Sequence, residues 1–143
     1  MAAGKQLDRA KLAYPKVVFI HCGINDLLFE TGSPYNWATI SANLDTIRAA
    51  FPAGTEFYLD EVLPSTGKTD AQDLLIRNLN ANYDTYCASN DWTLVKCHDI
   101  FGVIKASTGE LDTLNPIYNC GDNLHLNLAG AEKLAEVIRS YIK

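Results

Sequence analysis

The chain has 143 residues, of which 48% are hydrophobic and 20% are charged, and its net charge is −5. This length is sufficient for one domain with a hydrophobic core, and we expect residues 1–143 to form a single domain. The acidic balance and the lack of a basic cluster argue against nucleic acid as a partner. No apolar run reaches transmembrane length, which argues against a membrane protein.

Processing signals and cysteine spacing add little. The N-terminal sequence has no apolar segment typical of a signal peptide, so as it stands the chain is expected in the cytoplasm, although its true location is unknown from sequence. The cysteine spacings fit no zinc site. Because Cys22 and Cys97 end predicted strands, we expect buried free thiols there. A disulfide that involves the loop residue Cys120 is the alternative.

Apolar patterns divide the chain into alternating helices and strands. Runs of β-branched and aromatic residues predict strands, whereas apolar residues at three-to-four spacing predict helices. Proline and glycine mark the loops between them. In chain order we predict a helix at 5–13, a strand at 16–22, a helix at 37–51, a strand at 56–63, a helix at 70–89, a strand at 92–97, a helical turn at 101–104, a loop at 106–121 and a helix at 128–141. This alternation predicts an α/β fold with parallel strands.

Two short polar motifs stand out against this pattern. The first, Gly23-Ile24-Asn25-Asp26, follows the apolar strand at 16–22 and places polar groups at the strand's carboxyl end, where open α/β sheets bind ligands. The second, Asp122-Asn123-Leu124-His125, precedes the last helix. Its spacing lets the Asp122 carboxylate reach the His125 ring and fix its tautomer.

These motifs resemble the third block, Gly-x-Asn-Asp, and the fifth block, Asp-x-x-His, of the SGNH (GDSL-type) serine ester hydrolases. The resemblance implies a three-layer α/β/α, flavodoxin-like domain whose parallel strands have the order 2-1-3-4-5. This chain would supply strands 3, 4 and 5 and lack the first two. The predicted strands 16–22, 56–63 and 92–97 would then lie side by side in that order.

The resemblance also implies an activity, which is hydrolysis of a small acyl or acetyl ester, including esters on carbohydrates, without a metal or organic cofactor. His125 would be the general base and Asp122 its orienting acid, while Asn25 and a backbone N–H at Gly23 would donate to the oxyanion. Asp26 would brace its loop. The plainer alternative is that both motifs are ordinary turns.

The nucleophile is unknown, because the family's first block, which carries the serine, and its second block have no match. We therefore expect a truncated form that is weakly active or inactive by itself. Ser33 and Ser65 are minor candidates, since they lie in loops at the same edge of the sheet. Cys22 is expected to point into the core. The other serines, which have no suitable setting, are Ser41, Ser89, Ser107 and Ser140.

A second hypothesis comes from a different class of function. The chain could be a catalytically inactive, hydrolase-like binding or assembly module that holds an acyl or sugar group. An ester hydrolysis assay separates the two hypotheses. His21 and His98 also lie near strand ends, and we expect neither to have a direct role.

The strand at 16–22 implies an assembly. In a whole family member it would pair with strand 1, yet its apolar residues lack the charge or proline that protects natural sheet edges. We therefore expect a homodimer that pairs this strand with its symmetry mate. The alternative is that residues 1–15 fold over the edge.

Overall fold

The structure, a computed structural model, describes residues 14–27 and 35–142. The predicted helix at 5–13 and Ser33 lie outside these residues. The elements are β1 Val17–Ile20, α1 Ile24–Leu27, α2 Trp37–Ala49, β2 Glu56–Asp60, α3 Asp70–Asn90, β3 Thr93–Val95, α4 His98–Phe101, β4 Gly102–Val103, β5 Thr113–Leu114 and α5 Leu128–Tyr141.

The central feature is a sheet in which β1, β2 and β3 lie in chain order. β1 pairs in parallel with β2, with Ile20 opposite Leu59, and β2 pairs in parallel with β3, with Leu59 opposite Leu94. This confirms both the parallel α/β sheet and the predicted strand order.

Helices cover both faces of the sheet, because alternate side chains of each strand point to opposite layers. On one face Leu59 packs in a cluster with Leu44 of α2 and Leu79 of α3. On the other face Tyr58 packs with Val137 of α5. The result is the expected three-layer arrangement, with β2 buried from Phe57 to Asp60.

The second strand is shorter than predicted, ending at Asp60 rather than at residue 63. The side chain of Asn80 explains the difference, since it bonds to both backbone groups of Val62. The Val62 N–H donates to Asn80 Oδ1 at 2.8 Å, and Asn80 Nδ2 donates to the Val62 carbonyl at 3.0 Å. A side-chain amide thus replaces the ladder at this point.

The region between β3 and α5 is more ordered than the sequence suggested. The helical turn is α4, at His98–Phe101, instead of 101–104, and β4 and β5 form a small antiparallel pair within the predicted turn and loop. Gly102 allows this pairing because a Cβ there would lie 2.4 Å from the carbonyl oxygen of Leu111. Within the described residues, no helix is both long and apolar enough to cross a membrane.

Candidate active site

A cleft of about 520 Å³ lies at the carboxyl end of the sheet. It is bounded by the segment after β1, the segment after β2 and the loop before α5. Three of the four predicted site residues, Gly23, Asn25 and His125, line this cleft. The fourth, Asp122, does not line the cleft but forms a hydrogen bond with the His125 ring. The lining residues are His21, Cys22, Gly23, Ile24, Asn25, Asp26, Val62, Leu63, Leu124, His125 and Leu126.

His125 and Asp122 form an exposed imidazole–carboxylate pair. Asp122 Oδ2 lies 2.5 Å from His125 Nδ1, and Asp122 Oδ1 accepts the backbone N–H groups of Leu124 at 2.9 Å and His125 at 2.8 Å. These bonds hold the pKa of Asp122 well below its usual range, the His125 backbone N–H being the largest cause. An ionised Asp122 favours a proton on Nδ1, which leaves the Nε2 lone pair of His125 free as a base.

The loop that carries His125 is braced by Asn119 and by the segment after β2. Asn119 Oδ1 accepts the N–H groups of Gly121 at 2.8 Å and Asn123 at 3.2 Å. The Asn123 carbonyl accepts the Ser65 hydroxyl at 2.9 Å and the Thr66 N–H at 3.0 Å. Because two neighbouring donors bind this carbonyl, the loop is fixed relative to the sheet.

Asn127 joins this loop to α5. Its Oδ1 accepts the N–H of Gly130 at 2.9 Å, which caps the helix, and its Nδ2 donates to the carbonyls of Ile117 at 2.8 Å and Asn119 at 3.2 Å. Gly130 is required by close packing, since a Cβ there would lie 2.8 Å from the Tyr118 carbonyl oxygen. The loop that carries His125 is therefore held by the start of α5 on one side and by the segment after β2 on the other.

Gly23 sets the position of Asn25. Its φ of +106° is accessible mainly to glycine, and a Cβ would lie 2.4 Å from the Tyr83 hydroxyl oxygen. The chain then turns directly into α1, where the Asp26 N–H donates to the Gly23 carbonyl at 3.0 Å. Asn25 is exposed in this turn and borders the same cleft as His125.

Cys22 differs from its prediction. The sequence predicts a buried thiol, but the residue as a whole is exposed and lines the cleft, and only its sulfur is partly buried. Its sulfur lies 3.7 Å from the Tyr83 hydroxyl, and burial of that sulfur raises the pKa of the thiol. A raised pKa disfavours the thiolate that a nucleophile needs. Cys97 is buried as expected, and Cys120 is an exposed free thiol rather than part of a disulfide.

None of the five serines in the described ranges lines the cleft. Ser65, one of the two candidates from the sequence, is only 2% exposed, and its hydroxyl is bound to the Asn123 carbonyl. The others donate to a nearby backbone carbonyl or to Asp70, and they are Ser41, Ser89, Ser107 and Ser140. The nucleophile therefore has no assigned residue. Nor, across 14–27 and 35–142, do three or more metal-ligating side chains converge.

The cleft contains a second imidazole, that of His21, for which the sequence analysis predicts no direct role. His21 follows β1 and its Nδ1 lies 2.5 Å from Asp60 Oδ2 at the end of β2. The side chain of His21 is 57% exposed, whereas that of Asp60 is 1% exposed. Only the strand register could have predicted this contact. The last pair between β1 and β2 is Ile20 with Leu59, so His21 and Asp60 come next on adjacent strands.

Comparisons with solved structures find the same fold in known proteins. A GDSL-like lipase from Bacteroides thetaiotaomicron has a TM-score of 0.68 at 24% identity, over 94% of this chain and 69% of that one. An acetyl xylan esterase has a TM-score of 0.71 at 16% identity, over 97% and 73%. A lipase/acylhydrolase from Enterococcus faecalis has a TM-score of 0.68 at 18% identity, over 94% and 65%. At these identities the likeness shows the fold alone.

Family membership comes from the sequence itself. A search of curated proteins found no significant match. A family model described as the GDSL-like Lipase/Acylhydrolase family matches residues 2–133, which is most of the chain. This chain therefore belongs to the GDSL-like lipase/acylhydrolase family.

Proposed function

We propose that this chain carries the base and the oxyanion-binding part of an ester hydrolase that acts on small acyl or acetyl esters. One observation carries the proposal. Asn25 and the Asp122-bound His125 border one cleft at the carboxyl end of a parallel sheet. The likeness to an acetyl xylan esterase supports acetyl esters on carbohydrate as one candidate class of substrate.

The reaction assigns a task to each residue. His125 Nε2 removes the proton from the attacking hydroxyl and returns it to the leaving alcohol, while Asp122 keeps the proton on Nδ1 and stabilises the imidazolium. The Asn25 amide, together with a backbone N–H at Gly23, donates to the oxygen that becomes negative in the tetrahedral intermediate. Asp26 braces this turn.

The nucleophile, in this proposal, comes from outside the described residues. None of the five described serines lines the cleft, and the raised pKa of the Cys22 thiol disfavours its thiolate. A truncated form that lacks the serine-bearing segment fits this arrangement, and Ser33 is the alternative within the chain.

The test is hydrolysis of p-nitrophenyl acetate by the purified chain. We expect a rate near that of free imidazole at equal concentration, and we expect His125→Gln to lower it, because Asp122 leaves the Nε2 of His125 free to react. Asp91→Asn, a change on the exposed end of α3, is the control.

Two results would count against parts of this proposal. An unchanged rate in His125→Gln would remove the base assignment and favour a binding module. Rapid turnover that is lost in Ser33→Ala or Ser65→Ala would place the nucleophile inside the chain.

We further propose a homodimer. Within the described residues β1 pairs with β2 alone, so its other edge offers backbone groups to a second copy.

A further inference from the structure

The cleft contains two imidazoles, each with a carboxylate on its Nδ1. His125 pairs with Asp122, whose side chain is 47% exposed, and His21 pairs with Asp60, whose side chain is 1% exposed. In both pairs the carboxylate occupies Nδ1, so Nε2 is the nitrogen left for a ligand. Both residues line the same cleft, so a ligand that fills the cleft has access to both rings.

The two pairs differ in how strongly the carboxylate acts. Water screens an exposed carboxylate, whereas a buried one exerts its field on a neighbour with little screening. The hydrogen bond to Asp60 raises the pKa of His21, and burial raises the pKa of Asp60. The pair therefore retains a proton over a wider pH range than a free imidazole does.

The groups around His21 other than Asp60 include a carboxylate, a thiol and a second imidazole. The titratable residues lining the cleft beside it are Cys22, Asp26 and His125. Asp26 is a carboxylate and also favours the charged ring, while Cys22 is a thiol with a raised pKa. His125, already bound to its own carboxylate, is the base of the proposed reaction.

We propose that His21 is a second functional imidazole of this cleft: Asp60 holds its Nδ1, and its Nε2–H donates to an oxygen of the bound acyl group. This inference rests on the proposed ester hydrolase function and adds a residue to it. His21 supplies a charged donor on the β1 side of the site, where charge develops on the carbonyl oxygen or remains on the released carboxylate.

A purely structural role explains the pair less well. A hydrogen bond that only joined two strand ends would need no charged group. Asp60 is a buried carboxylate, which is costly unless its partner is ionised. In addition, the second oxygen of Asp60 has no hydrogen-bond partner among the described residues. A half-exposed imidazole beside such a carboxylate is suited to receiving an anion.

The experiment is an NMR titration of the three histidine Cε1–H signals with methanesulfonate. This probe has a methyl group and three tetrahedral anionic oxygens, like the intermediate of an acetyl ester, and its charge does not change near neutral pH. We expect the signals of His21 and His125 to shift with one common Kd. The His98 signal, from a buried ring outside the cleft, is the internal control.

Two variants separate binding from structure. His21→Gln keeps a polar side chain but removes the charged donor, so we expect methanesulfonate to bind about tenfold more weakly, the usual size of one charge-assisted hydrogen bond. Asp60→Asn should lower the midpoint of the His21 titration, because the negative charge is lost. It should also weaken methanesulfonate binding, as His21→Gln does. Wild-type binding should decrease as pH rises through the His21 midpoint, and His21→Gln should lose that dependence.

The wild-type titration alone can overturn the inference, whether or not a variant folds. If methanesulfonate shifts His125 and not His21, or if folded His21→Gln binds it as tightly as the wild type, then His21 is structural. Such a result would leave the base assignment of His125 intact, because that assignment is tested by hydrolysis of p-nitrophenyl acetate.

Discussion

At the scale of single residues, Gly23 has little freedom to change. Its positive φ excludes most side chains, and a Cβ would overlap the Tyr83 hydroxyl, which itself is attached to a fully buried ring. Because Asn25 follows two residues later, any shift of Gly23 also moves the side chain that we propose as the oxyanion donor.

We therefore expect Gly23→Ala to lower the free energy of unfolding by about 2–4 kcal/mol, from backbone strain and overpacking together. Gly54→Ala is the matched control, since Gly54 also has a positive φ, +87°, but has open space at the Cβ position. Strain alone should cost about 1 kcal/mol there. Urea denaturation measures both values, and equal costs would show that the contact with Tyr83 does not matter.

Contacts between residues close in the sequence could be predicted from it, whereas contacts between distant residues could not. The Asp122–His125 contact depends on a three-residue spacing, so local sequence was sufficient for it. The Cys22 sulfur contacts Tyr83 of α3, and the Ser65 hydroxyl donates to Asn123 in the loop before α5. Those partners are about 60 residues away, and no local pattern identifies them.

At the scale of elements, the loop before α5 is positioned by side chains more than by packing. Asn127 has two tasks, because its Oδ1 caps α5 and its Nδ2 holds two carbonyls of the loop. Asn36 caps α2 in the same way, through the Thr39 N–H, but among the described residues its side chain bonds to that helix alone. The two asparagines therefore provide a direct comparison.

We expect Asn127→Ala to cost about 2–3 kcal/mol of stability, the sum of a cap and two loop hydrogen bonds, and Asn36→Ala to cost about 1 kcal/mol. In addition, Asn127→Ala should change the chemical shift of the His125 ring, whereas Asn36→Ala should not. Denaturant unfolding and NMR check the two statements. A smaller cost for Asn127→Ala than for Asn36→Ala would mean that the loop holds its shape without this residue.

The sequence did not predict the β4–β5 pair, and the contacts of this pair explain why. The β4–β5 pair is stabilised by ion pairs between α3 and the segment around it. Lys105 Nζ lies 2.5 Å from the buried Asp73, and Arg77 binds the buried Asp112. Asp73 and Arg77 occupy helix positions where charged residues are usually solvated. Since their partners are more than 30 residues away, amphipathic periodicity predicted the helix but not its role in ordering the hairpin.

At the scale of the whole molecule, alternation of strands and helices was sufficient to predict a parallel sheet with two helical layers. The reason is that each predicted strand is short and apolar and each helix has an apolar face, so that few topologies bury them all. The same topology leaves β1 at an edge of the described sheet, and its four residues are only partly buried.

Within the described residues, the edge of β1 that faces away from β2 has no partner strand. In a parallel ladder the N–H and C=O of one residue point to the same side and alternate along the strand. The Lys16 carbonyl accepts the Glu56 N–H at 2.9 Å, so Lys16 faces β2 and Val17 faces away from it. If β1 pairs with its symmetry mate, the Val17 N–H contributes to the dimer, and light scattering of the wild-type chain should give twice the monomer mass.

Val17→Pro removes that N–H and should shift the equilibrium toward the monomer, because proline at a sheet edge blocks pairing. Val17→Ala shortens the side chain further than proline does but keeps the N–H, so it should remain dimeric and serves as the control. Both variants should keep the circular dichroism of the wild type. A wild-type chain that stays monomeric at high concentration would contradict the edge argument, as would a Val17→Pro variant that associates as strongly as Val17→Ala.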